Sequence, residues 1–80
     1  MMNKPNAFQV IVRYENREYF STVGEFEEQE TLESITDQFY EAIDQADKLK
    51  IELADGSFIV LPSESLNRCV IQFKPMWTEA

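Results

Sequence analysis

The chain has no histidine, one cysteine (Cys69) and two glycines. Each scarcity removes a class of chemistry. Without histidine the chain lacks the commonest general base and the commonest metal ligand. A lone cysteine forbids an intrachain disulfide. With no secretory signal read at the N-terminus, the expected setting is reducing and cytoplasmic. Gly24 and Gly56 are too few for a glycine-rich phosphate loop. No apolar run approaches the roughly 18 residues of a membrane span, so no membrane association is expected. Cations are scarce too: 7 Lys and Arg stand against 15 Asp and Glu, a net charge of −8. That balance argues against direct contact with nucleic acid or anionic lipid, whose phosphates carry the same sign. It favours solubility, or a partner with a basic surface.

What is present suffices for one domain spanning residues 1–80. Hydrophobic residues make up 44% of the 80 positions, ordinary for a globular chain. A chain of this size buries only about 60–65% of its unfolded surface, and oligomerisation is one remedy for the resulting marginal stability.

Hydrophobic periodicity sets the element order. Residues 1–6, with Pro5, lack a pattern and read as a loose arm. Phe8, Val10, Val12 and Tyr14 alternate with Gln9, Ile11 and Arg13, which is the strand period. Across a Glu15-Asn16 turn, Arg17 to Val23 returns with Arg13 facing Glu18, Val12 facing Tyr19 and Ile11 facing Phe20. Gly24 is expected to end this strand. Thr31 suits an N-cap, and Leu32, Ile35, Phe39, Ile43 and Ala46 then recur at helical spacing, with Tyr40 beside them. Leu49, Ile51 and Leu53 predict a third strand. Asp55-Gly56 predicts a two-residue type I′ turn, which would place Phe58 opposite Leu53 and Val60 opposite Ile51, with Ile59 and Leu61 on the other face. Pro62 stops that strand, and Ser63 is positioned to cap one helical turn. Cys69, Ile71 and Phe73 mark a last strand ending before Pro75, and residues 75–80 read as an irregular tail. The expected fold is therefore α+β, in the order ββαβββ: an antiparallel sheet with one helix packed across one face.

Two features bear on function. The first is an acidic stripe. Nine carboxylates lie between Glu25 and Asp47 with no Lys or Arg among them, and Glu30, Glu33, Asp37, Glu41 and Asp44 follow at three- or four-residue steps along the helix. Like charges at that spacing repel by a few tenths of a kcal/mol each. The functional reading is a surface that meets a basic groove on a partner, in the extreme as an imitation of nucleic-acid phosphates. The competing reading is a solvated helix face.

The second feature is surplus apolar surface. Ile11, Phe20, Ile59 and Leu61 fall opposite the helix-covered face, and Trp77 sits in the tail. A homodimer interface or a partner site would account for them, as would a tail folded over the sheet. Enzymatic readings find little support. Cys69 lies mid-strand with no histidine to activate it, Ser63 and Ser65 lack a base, and Asp55-Gly56 lacks the spacing of a calcium loop. No cofactor is expected. The leading expectation is a non-enzymatic protein-binding domain of bacterial, phage or mobile-element type, with a nucleic-acid mimic and a structural homodimer as alternatives.

Overall fold

A computed structural model describes residues 4–45 and 48–78. The first hairpin forms in the expected register. Strand β1 (Ala7–Tyr14) turns through Glu15 and Asn16 into β2 (Arg17–Glu25). Both turn residues have positive φ, 48° and 65°, the backbone of a type I′ turn whose twist matches that of the strands. Arg13 faces Glu18, Val12 faces Tyr19 and Ile11 faces Phe20. The Arg13 guanidinium donates to Glu18 Oε2 at 2.6 Å and, on its other side, to Gln72 Oε1 at 2.6 Å.

Strand β2 does not end at Gly24, which pairs with Phe8. A Cβ at Gly24 would lie 2.8 Å from Phe8 Cζ. The glycine is thus an opening for the Phe8 ring, which sits 5.2 Å from that of Phe26. Between these paired halves the register shifts, and Ser21 and Thr22 together oppose Val10. Such a bulge removes a ladder partner from the facing strand. Here the Ser21 hydroxyl replaces it: Val10 N donates to Ser21 Oγ at 2.8 Å, and that hydroxyl donates to Thr22 O at 2.8 Å.

Helix α1 (Leu32–Gln45) begins as expected. Ser34 N donates to Thr31 Oγ1 at 3.1 Å, and Thr31 N donates to Ser34 Oγ at 2.9 Å. This is a reciprocal capping arrangement, with serine in the place more often held by glutamate. Leu32, Ile35, Phe39 and Ile43 are half-buried, and no residue of the helix is fully buried. Ala46, expected to end the apolar stripe, lies outside the described residues, as does Asp47.

The second hairpin departs from expectation by one residue. Strands β3 (Lys48–Glu52) and β4 (Phe58–Pro62) pair Leu49 with Leu61, Lys50 with Val60 and Ile51 with Ile59. The cause is the turn. Gly56 N bonds to Leu53 O at 2.9 Å and Leu53 N to Ser57 O at 2.7 Å, while Gly56 alone in the loop has positive φ, 91°. That is a three-residue loop with glycine in the bulge position, not a two-residue turn. Ser57 N and Oγ donate to Asp55 Oδ1, at 2.9 and 2.5 Å, and fix it. Because side chains alternate with period two, the slip exchanges the faces of the whole strand. Ile59 and Leu61 turn inward, and Phe58 and Val60 outward.

Helix α2 (Ser63–Leu66) follows at once. Ser63 is its first residue and not its cap; Pro62 holds the cap position without a side-chain hydrogen bond. Strand β5 (Val70–Met76) pairs antiparallel with β1 along its length. It continues through Pro75, which an edge strand tolerates because half of its N–H groups face away from the ladder. The ends of the domain are laced at this edge. Asn6 N donates to Met76 O at 3.2 Å, Asn6 Nδ2 to Thr78 O at 2.8 Å, and Thr78 N to Asn6 Oδ1 at 2.8 Å. Asn6 and Thr78 are therefore parts of the fold and not of a loose arm and tail.

The fold is α+β and antiparallel, with its strands divided between two sheets in the orders β2-β1-β5 and β3-β4. A bridge between Ser21 and Leu53 joins them, reinforced by Ala54 N donating to Phe20 O at 2.9 Å. The hairpin β3–β4 brings Ile51 and Leu61 onto Val10 and Val12 to form the core, with Phe8, Tyr19, Ile71 and Phe73 around it. Helix α1 covers the β5 side of the same face, where Phe39 meets Phe73 edge-on at 4.9 Å.

Two outcomes follow for denaturant unfolding. Leu61→Ala is expected to destabilise by about 2–5 kcal/mol and Val60→Ala by under about 0.5 kcal/mol; the reverse order would restore the two-residue turn. Ser21→Ala strands the Val10 N–H in a buried site and is expected to lose about 1–3 kcal/mol, and an unchanged midpoint would show that the hydroxyl is dispensable.

Candidate functional site

The helix presents its acidic residues to solvent. Glu33, Asp37, Glu41 and Asp44 are exposed. Glu30 is set apart: half-buried, it accepts the Glu27 N–H on Oε1 at 2.7 Å and closes the turn ahead of the helix. Glu33 in the first turn is favoured by the helix dipole, whereas the last turn holds no basic residue. Among the described residues the ion pair is Arg13–Glu18, at 2.6 Å. None of the helix carboxylates takes part in one.

The five apolar candidates do not form one surface. Ile11 is 4% exposed at the centre of the three-stranded sheet, between Phe20 and Gln72. Leu61 is 6% exposed in the core, and Ile59 is half-buried against it. The register slip is the reason for these last two. Phe20 and Trp77 are exposed. The outward positions expected for Ile59 and Leu61 are held by Phe58 and Val60, both exposed, with Lys50 Nζ 4.9 Å above the Phe58 ring.

Beside the acidic stripe lies a groove of about 350 Å³ between α1 and β5, lined by Thr36, Phe39, Tyr40, Ile43, Asp44, Ile71 and Phe73. The Phe39–Phe73 contact joins its two walls. Asp44 belongs both to this groove and to the stripe, and Tyr40, 68% exposed, stands on the same lip. The sequence marks the helical wall through its apolar stripe and Tyr40. It does not mark the β5 wall, since Ile71 and Phe73 read as ordinary core positions until β5 proves to be the edge strand.

Reactive groups are sparse. Cys69 is half-buried, with Sγ donating to Leu66 O at 3.6 Å. Burial pushes its thiol up from the ordinary value, against a partial offset from the backbone. Asp55 is held below the usual carboxylate value by its side-chain and backbone hydrogen bonds from Ser57, which makes it a turn anchor. Among the described residues no three Cys, Asp or Glu side chains gather closely enough to hold a metal ion. No described helix is long and apolar enough to cross a membrane.

A thiol disfavoured as thiolate reacts slowly. Iodoacetamide at mildly alkaline pH is expected to modify Cys69 about tenfold more slowly in the folded chain than in urea, and equal rates would show an accessible, activated thiol. Comparisons with known proteins found no family model, no curated protein and no solved structure that matches this chain.

Proposed function

We propose that this chain is a small, non-enzymatic, cytoplasmic binding protein, of bacterial, phage or mobile-element type, that engages or inhibits a protein partner through the acidic face of α1. The observation that carries this reading is the exposed row Glu33, Asp37, Glu41 and Asp44 in a span without a single Lys or Arg. Interleaved lysines would turn repulsion at four-residue spacing into attraction. A helix selected for stability alone would hold them. A row kept wholly negative suits a basic surface, with association that is fast and falls with salt. Four residues of helix rise about 6 Å, so the row also suits a groove built for phosphates. In that form of the reading the partner is a nucleic-acid-binding protein and the chain competes with its ligand.

The test compares the chain with its Asp37→Lys/Glu41→Lys variant, each immobilised and exposed to cell lysate across a salt gradient. The variant turns the Glu33–Asp37 and Glu41–Asp44 repulsions into attractions, leaves one like-charge pair between positions 37 and 41, and puts a cation at 41 in the C-terminal half of the helix, so it is expected to be at least as stable as the parent. The chain should retain a basic protein that rising salt releases, and the variant should bind it at least about tenfold more weakly. Equal retention by both would overturn the reading. A second reading, self-association through exposed Phe20, Phe58 and Val60, predicts a dimer mass by light scattering that persists at high salt; a monomer at both salts removes it.

A further inference from the structure

We propose that the groove between α1 and β5 takes an extended, basic segment of the partner, which adds to β5 as a further strand. This rests on the reading that the acidic face of α1 meets a basic protein. Strand β5 ends the order β2-β1-β5, so among the described residues one side of its backbone has no strand beside it. An unpaired edge is a template for a strand from another chain. Among the described residues the groove is walled by α1 and β5, Phe39 and Ile43 opposite Ile71 and Phe73, with none from β1, β3 or β4. Its sheet wall is thus the terminal strand of the order β2-β1-β5. A helix lying alongside a free strand edge is the setting in which peptide strands are captured, main-chain hydrogen bonds giving affinity and alternate side chains giving selectivity.

Charge fixes the chemistry of the occupant. Asp44 stands in the groove wall, and Asp37 and Glu41 follow on the exposed face of the same helix. Apart from Asp44 and Thr36 the lining is aliphatic and aromatic. A segment that alternates apolar and basic residues meets both demands: one set of side chains enters between Phe39, Ile43, Ile71 and Phe73, and the other reaches the carboxylates. Pro75 limits the usable edge to Val70–Lys74.

The full chain, labelled with nitrogen-15, would be titrated with a capped peptide of about ten residues alternating arginine and valine, and separately with oligoarginine of equal length. The alternating peptide is expected to give saturable amide shifts across Val70–Lys74 and at Phe39 and Ile43. Oligoarginine should shift only residues of the acidic stripe. Thr36→Trp, at an exposed position on the groove wall, should weaken the alternating peptide about tenfold and leave oligoarginine binding unchanged. Ile43→Asn, checked for native circular dichroism, should do the same. Helix shifts with both peptides but none in β5, or no effect of Thr36→Trp, would overturn the groove and leave the acidic-face reading standing. No shifts with either peptide would overturn both.

Discussion

The Ser21 hydroxyl holds the junction on which the rest of the fold depends. Strand β2 has to pair with β1 along its length and also reach the second hairpin at Leu53. A regular strand does not easily turn from one sheet to another, and the bulge at Ser21 and Thr22 supplies the bend. A bulge leaves the facing N–H without a ladder partner, which in a buried site costs free energy. Val10 is 8% exposed, and its N–H is satisfied by Ser21 Oγ at 2.8 Å. The same residue makes the bridge to Leu53. With that junction in place Ile51 and Leu61 close over Val10 and Val12; without it each sheet would have a single apolar face and nothing to cover it.

The parts legible in the sequence are those governed by local chemistry. The first hairpin formed in register because Glu15-Asn16 is a two-residue turn and three compatible cross-strand pairs agree with it. Helix α1 begins just after Thr31 because a capping hydroxyl precedes an apolar stripe. The second hairpin slipped because Asp55-Gly56 is compatible with two loops, one with positive φ at both residues and one with positive φ at glycine alone. Core burial chose between them: only the three-residue loop turns Ile59 and Leu61 toward Ile51. That choice rests on contacts between residues some 40 positions apart in sequence, such as Val12 and Ile51, which a local pattern does not contain. The role of Gly24 inside β2 is hidden for a similar reason, since the Phe8 ring that requires it lies on another strand. Of the acidic row, the exposure of Glu33, Asp37, Glu41 and Asp44 was legible, because it follows from the apolar stripe opposite, whereas the half-buried place of Glu30 in the turn before the helix was not. The apolar set was not, because its faces inherited the slipped register.

Helix α1 occupies an unusual position for the longer of the two helices among the described residues. The core is closed chiefly by the β3–β4 hairpin, so the helix is left to cover the margin beside β5. Its docking is correspondingly slight: no residue fully buried, and Phe39 against Phe73 as its aromatic contact. A helix so placed gains little from packing, and most helical stability in proteins comes from packing. Intrahelical ion pairs would be the simplest remedy, and this helix has carboxylates where they would be. The capping hydroxyls of Thr31 and Ser34 and the dipole around Glu33 offset part of the repulsion at one end, while Glu41 and Asp44 sit toward the end where the dipole opposes them. Weak docking and unrelieved charge therefore coincide on one element. A basic segment seated along β5 would relieve both at once, filling the space beside Phe39 and Ile43 and neutralising the face above it. The same feature that leaves α1 lightly secured in the free chain gives it much to gain from a partner.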